Sequence, residues 1–457
     1  MKKIQYYFAL YIAKVAQGLL KLLGRNATYL PGKIAIKLCK NFLAYHKPHK
    51  TVIAITGTNG KTTTSNLVTS VLRSNGYSIT NNSYGSNVQA GVIAALIEDT
   101  DLLGRPTKDI AVLEVDERSS LLIYPQLHPD YLVCNNIMRD SIKRNAHTEF
   151  ISYIISSALP KTTKLIVNAD DLIASTIGHK ENPRVYFGVE AEQPEESKPQ
   201  HILDIVYCPE CGGILKSDYV RYNHIGRHYC EKCGMRSPAP NYAVTRIDRE
   251  ANTFTVRIRE QETTFRLVND NIVNVYNACG VVALLSELGL NPEQIAKGFE
   301  NVEIVKTRFD TVRSGDLTIT LLMSKGQNPI ACSRCFDYVV KAPCTNKGVV
   351  VMIDDLHDND RDSEATCWLY DCDYSAFADP SIAQVVFAGP RAKDHYLRAL
   401  LAGVAPEKII TTEGCADAAA LIDTGLCKDI YILHDLYRPG DAKSNKALLV
   451  QRGKEGA

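Results

Sequence analysis

The chain predicts an α/β protein. It has a parallel-sheet domain around a glycine-rich loop, a cysteine-rich insertion in that domain, and a Rossmann-like α/β domain at the C-terminal end. Three observations predict this. The β-branched run Thr51–Ile55 leads into Thr56-Gly57-Thr58-Asn59-Gly60-Lys61-Thr62-Thr63, and a helical pattern follows with Leu67, Val68, Val71 and Leu72 on one face. Two Cys-x-x-Cys pairs stand between residues 201 and 240. Strand and helix patterns alternate from residue 51 to about 190 and again from about 313, the signature of parallel sheets.

Strand, glycine turn, Lys-Thr and helix form a phosphate cradle. Glycines let backbone N–H groups approach phosphate oxygens, and the helix N-terminus adds a favourable dipole. Lys61 reaches the outer phosphates and is expected to pack against nothing, while the Thr62 hydroxyl suits Mg²⁺. Thr58, Asn59, Gly60 and Thr63 complete the nucleotide loop. Ile55 stands where the longer Walker pattern has its first glycine, so the match is to a short T-G-T-N-G-K-T form. Glu114 closes the apolar run Ile110–Leu113, where a carboxylate beside the loop serves as a Mg²⁺ ligand; Asp116 and Glu117 are alternatives for that role.

At 457 residues, 45% hydrophobic and 23% charged, the chain has room for roughly three domains of ~150 residues each. The expected division is a helical segment over 1–48, a central domain over 49–311 and a C-terminal domain over 312–457. Candidate strands of the last are Val349–Ile353, Val385–Ala388 and Ile430–Leu433. A net charge of +1 gives no footprint for nucleic acid. The absence of a cleavable leader pattern and the spacing of the cysteines point to a reducing cytoplasm. Near the start, Ala13, Val15, Ala16, Leu19, Leu20, Leu22 and Leu23 suit an amphipathic helix. A helix packing on its own protein is favoured over one lying in a membrane interface. Gly32 reads as a turn before a helix over Ile34–Leu43.

Cys208-Pro-Glu-Cys211 and Cys230-Glu-Lys-Cys233 are separated by residues 212–229. Two such knuckles make a tetrahedral Cys₄ zinc ribbon, and four thiolates leave no open position, so the zinc is structural. Gly212 and Gly234 permit the tight knuckle turns. Cys332 and Cys335 have no partner pair and read as incidental.

The short loop form, with Glu114, resembles the Mur ligase and folylpolyglutamate synthetase superfamily. Asn135-Asn136-Ile137-Met138-Arg139-Asp140-Ser141 resembles its T-N-I-x-x-D-H segment, with Ser141 in place of a metal-binding His and His147 as a weak substitute. Residues 145–160 hold no lysine, so the usual carbamylated-lysine metal site is not expected. Asn168-Ala169-Asp170-Asp171 resembles the N-x-D-D segment. Asn274 and Asn277 resemble the adenine-contacting asparagines, with helix capping by Asn271 or Asn274 as the alternative. Arg308 resembles the hinge arginine that reaches phosphate. Lys325 lies in a segment like the one that opens the last domain, and Met323 replaces the expected acidic ribose contact. Asp354-Asp355, residues 359–362 and the only tryptophan, Trp368, resemble the C-terminal domain of the MurT branch, and Trp368 beside paired aspartates reads as site-like.

That resemblance implies ATP-driven, Mg²⁺-dependent amidation of a D-glutamate α-carboxylate in lipid II, at the cytoplasmic membrane face and with peripheral contact to it. Lys61, Glu114 and Asp355 are the catalytic expectations. The chain lacks a G-x-C-x-G nucleophile turn; Gly414-Cys415-Ala416-Asp417 does not match it, with Asp417 at the last position. The resemblance therefore implies a separate class I glutaminase of the GatD type, whose His Asp355 would orient. Two alternatives remain open: a Mur or folate-type ligase that adds an amino acid, and a zinc-ribbon nucleotide-binding protein without ligase activity.

Overall fold

The computed structural model describes residues 2–455 apart from 84, 141–146, 194–202, 269–270, 301, 303–308, 325, 327 and 354–365. Two compact units divide it: residues 1–138 with 147–304, and residues 139–146 with 305–457.

The first unit carries β1 (Thr51–Thr56), β2 (Ile79–Asn81), β3 (Ile110–Glu114), β4 (Tyr131–Cys134), β5 (Lys164–Asn168) and β6 (Arg184–Val189). After them come β7 (Lys216–Tyr222), β8 (Ile225–Tyr229), β9 (Tyr242–Asp248), β10 (Thr253–Ile258) and β11 (Gln261–Arg266). One nine-stranded sheet runs in the order β11-β10-β9-β6-β5-β4-β1-β3-β2. β1 pairs in parallel with β3 and β4 on its two edges, and successive residues Val52–Ile55, which point to opposite faces, are all buried, so it reads as an unbroken apolar run rather than an alternating one. The antiparallel pairs among β9, β10 and β11 extend this same sheet, because β9 joins β6 in parallel. The hairpin β7–β8 forms a separate two-stranded sheet in the insertion.

Helices α1 (Lys2–Leu22), α2 (Leu30–Leu38) and α3 (Phe42–Tyr45) are not a body of their own. Tyr6, Leu10, Ala35 and Phe42 join the same apolar core as Val52, Leu113 and Leu132. This corrects the separate segment expected over 1–48. Gly32 does not mark a turn either; it sits inside α2, and a Cβ there would stand 1.8 Å from the Ala90 carbonyl oxygen. The glycine permits close helix packing, and the helix expected over Ile34–Leu43 is two helices broken at Cys39–Asn41. α1 does pack on its own protein, but through Tyr6, Ala9, Leu10, Ala13 and Gln17. Val15, Leu19, Leu22 and Leu23, named above as its apolar face, are exposed.

The second unit holds β12 (Phe309–Ser314), β13 (Leu317–Met323), β14 (Lys347–Met352), β15 (Ile382–Ala388), β16 (Ile409–Thr412) and β17 (Asp429–His434). They form a sheet in the order β12-β13-β17-β14-β15-β16, parallel except for β12. A domain boundary at 311/312 would cut β12, so this unit starts earlier than expected.

Candidate nucleotide site and cysteine cluster

β1 ends at Thr56, and helix α4 (Lys61–Ser74) starts immediately after Gly60. Leu67, Val68, Val71 and Leu72 are buried and fix α4 on the sheet. Gly60 has φ +86°, and a Cβ there would lie 2.3 Å from Asn277 Oδ1, so only glycine fits. The turn is braced from β4: Asn59 N donates to Asn136 Oδ1 at 2.9 Å, and Asn136 Nδ2 donates back to the Asn59 carbonyl at 3.1 Å. Thr58 Oγ1 donates to the Met138 carbonyl at 3.0 Å.

Thr62 Oγ1 donates to Glu114 Oε2 at 2.8 Å. Glu114 is held in turn by Asn87 Nδ2 at 3.0 Å, while its backbone N–H donates to Asn82 Oδ1 at 2.8 Å. A hydroxyl and a carboxylate at this separation beside a phosphate cradle fit the oxygen donor set of Mg²⁺. Lys61 is not free: its Nζ lies 2.7 Å from Glu117 Oε1, with both side chains largely buried. Burial opposes its charge, but Glu117, then Asp116 and Glu114, hold its pKa above the usual lysine value. This corrects the expectation that Lys61 packs against nothing. Thr62 and Thr63 are exposed on the first turn of α4.

Asn271, not Asn274, caps the helix Ile272–Glu287, accepting from Val273 N at 3.0 Å. Asn277 is buried against Gly60, its Oδ1 without a hydrogen-bond partner among the described residues, and its Nδ2 lies 3.3 Å from Asn274 Oδ1. Asp171 follows β5, caps the helix Leu172–Ser175 through Ile173 N and Ala174 N, and accepts from Ile137 N at 2.7 Å. His147 is exposed just before the helix Thr148–Ala158. Arg308, Lys325, Asp355 and Ser141 lie outside the described residues.

The Sγ atoms of Cys208, Cys211, Cys230 and Cys233 all lie within 4.8 Å of one another, with the Cys208–Cys233 and Cys211–Cys230 pairs at 3.6 Å. Tetrahedral zinc with bonds of about 2.3 Å needs sulfurs about 3.8 Å apart, so the cluster fits the ion. Gly212 and Gly234 take φ of +67° and +76°, and their N–H groups donate to the Cys208 and Cys230 carbonyls. His224, buried at the tip of the β7–β8 hairpin, ties this insertion to the sheet. Its Nε2 is 3.0 Å from Asp171 Oδ1 and its Nδ1 is 3.6 Å from Asp204 Oδ2.

In the second unit Trp368 is 2% exposed and packs edge-on to His395, a core role rather than the site-like one expected. Cys415 is also buried. Ser324, in the segment read as opening the last domain, is buried at the carboxyl end of β13, and sequence reasoning passed over His434 and Asp435, buried at that of β17, on the edge of an open α/β sheet where ligands gather. Their signal was a polar group closing an apolar strand. It also missed Asn82 and Asn87, whose sequence context is a plain polar turn, and it named Glu117 as an alternative metal ligand, not as the partner of Lys61.

The fold and the loop define a Mur ligase-like protein: the Mur ligase middle domain model matches residues 55–206 and the MurT ligase C-terminal model residues 326–437. Lipid II isoglutaminyl synthase (glutamine-hydrolyzing) subunit MurT from Staphylococcus aureus strain COL is 30% identical over 403 residues, covering 88% of this chain and 89% of the relative. Its namesake from Streptococcus pneumoniae is 30% identical, with 91% of each chain covered. A pseudomurein peptide ligase type C from Methanothermus fervidus shares the fold, with a TM-score of 0.65 at 20% identity over 91% of this chain and 81% of that one. The chain belongs to the MurT family.

Proposed function

We propose that this chain is the synthase subunit of a lipid II isoglutaminyl synthase, amidating the α-carboxylate of D-glutamate in the lipid II stem peptide. The observation that carries this reading is the identity of 30% to subunits of that name over about nine-tenths of both chains. The loop supports it with a Lys61, Thr62 and Glu114 set suited to a nucleotide and its metal. ATP phosphorylates the carboxylate, and ammonia then attacks the acyl phosphate, releasing phosphate and leaving the amide. Thr62 and Glu114 would hold Mg²⁺, which would supply charge neutralisation on the phosphates. The protein's own work is positioning and electrostatic stabilisation: Lys61 on the outer phosphates, with Arg308 and Lys325 assigned to the same task and Asn274 and Asn277 to adenine. Ammonia comes from a class I glutaminase partner, and Asp355 orients that partner's catalytic His. The four cysteines hold structural zinc, and the chain acts in the cytoplasm on a membrane-bound substrate.

The test is amidation of lipid II by the purified chain with ATP. Product is expected with ammonium alone, and with glutamine only when the glutaminase is added. Incorporation of an amino acid instead of ammonia, or no lipid II-dependent ATP turnover with either nitrogen source, overturns the reading.

A further inference from the structure

α1 has two apolar faces. One is buried in the first unit through Tyr6, Ala9, Leu10 and Ala13. The other is bare: Ile4, Phe8, Tyr11, Val15, Leu19 and Leu22 recur at helical spacing on one side and are 43–84% exposed. Six large apolar side chains in one exposed stripe along a 21-residue helix are more than scattered surface hydrophobics. No described helix is long and apolar enough to cross a membrane.

Charge says which surface. The first 50 residues hold ten Lys and Arg and no Asp or Glu, and the first acidic residue of the chain is Glu98. The rest of the chain is net acidic by nine charges. Lys21 is paired with Glu98 and Lys50 with Asp109, and Lys14 Nζ donates to the Ile97 carbonyl. Lys2, Lys3 and Arg25 are exposed at the two ends of α1. A bare apolar stripe on an acid-free cationic segment is the pattern of a helix lying in the interface of an anionic bilayer.

We propose that α1 is an interfacial anchor, inserting its exposed stripe into the headgroup layer of an anionic lipid membrane while its opposite face stays in the protein core. The inference rests on α1 and its charges and stands whether or not the chain amidates lipid II.

The experiment is co-sedimentation of the full chain with phosphatidylglycerol-rich vesicles and with pure phosphatidylcholine vesicles, at low and high salt. The chain is expected to pellet with the anionic vesicles, less so in high salt. The variant Phe8→Asp/Val15→Asp/Leu19→Asp should bind at least ~100-fold more weakly, because three buried side chains are lost from the interface. These positions face solvent, so its melting temperature should match the wild type. A second variant, Lys2→Gln/Lys3→Gln/Arg25→Gln, leaves the stripe intact and should weaken anionic binding roughly fivefold per residue. It decides the matter if the first variant fails to fold. The proposal is overturned if the chain stays in the supernatant with anionic vesicles, or if both variants pellet like the wild type. It is equally overturned if the wild type is a dimer in solution that the first variant converts to monomer without any lipid binding, since a second copy then covers the stripe.

Discussion

Lys61, Thr62 and Glu114 are placed by strands and a helix whose apolar faces are buried in one core, and hydrogen bonds from Asn59, Asn82, Asn87 and Asn136 set the loop between them. Cys208, Cys211, Cys230 and Cys233 hang instead from two short turns, where Tyr207 and Ile214 are more than 60% exposed and little apolar surface is hidden. The difference is in what each site requires of its ligand. The loop is assembled by the sheet and is ready for an anion. The ribbon has little core of its own, so a metal held by its four thiolates would also contribute to folding it.

The largest effect that follows is at the ribbon. Replacing Cys208 and Cys230 by Ser should remove about one zinc per chain. Structural zinc contributes apparent energies of ~10–16 kcal/mol, so the insertion should lose protection from proteases and hydrogen exchange while the P-loop sheet keeps its own. Metal analysis and exchange of the full chain check both halves. Full zinc occupancy in this variant, or equal loss of protection in both regions, breaks the contrast.

Lys61→Ala tests the loop. Amidation should fall by several powers of ten, since a lost phosphate donor commonly costs ~3 kcal/mol or more. The substitution also leaves Glu117 buried without its cation, at roughly 3–5 kcal/mol of stability. Adding Glu117→Gln should restore the melting temperature but not activity. A single mutant as stable as the wild type would show that the buried pair contributes little.

Gly60→Ala sharpens the claim that the loop is built before any ligand arrives. The left-handed φ and the contact with Asn277 should together cost about 2–5 kcal/mol and weaken nucleotide binding. Asn277→Gly in the same chain should recover the part due to the clash and none of the part due to φ. Calorimetric nucleotide titration of the three variants separates the two.

The smallest effect joins the two regions. Burial disfavours protonated His224, but Asp171 and then Asp204 outweigh it and raise its pKa to about 9. A raised folded value means stability that is full below about pH 6.5, the unfolded value, and is lost as pH rises through about 9. The melting temperature should fall across that window by an amount equivalent to roughly 1–3 kcal/mol, and His224→Gln should flatten the fall. An identical pH profile in the variant would assign the loss to other groups.

Much of this was readable in advance where a residue's role is local. The run Thr51–Ile55, the glycine turn and the Leu67-to-Leu72 face of α4 are fixed by neighbours along the chain, and so are the Cys-x-x-Cys knuckles. What escaped depends on contacts distant in sequence. Glu117 reaches Lys61 across 56 residues, and Asn82 reaches Glu114 across 32, with nothing in either local pattern to announce it. Gly32 looks like a breaker until Ala90 is placed beside it, and the two faces of α1 are equally apolar, so periodicity alone chose the wrong one. Trp368 drew attention for the aspartates near it in sequence, whereas packing against His395 put it in the core.

The Lys61–Glu117 contact also means that the resting loop carries its own counter-anion. Nucleotide entry is then an exchange of one anion for another rather than the filling of a bare cationic hollow. A small, singly bound anion such as free phosphate or sulfate gains too little to displace a carboxylate already held at 2.7 Å. A polyphosphate that touched the backbone N–H groups and Lys61 together would have more contacts with which to displace it. The contact thereby favours an anion with several points of attachment over a simple one.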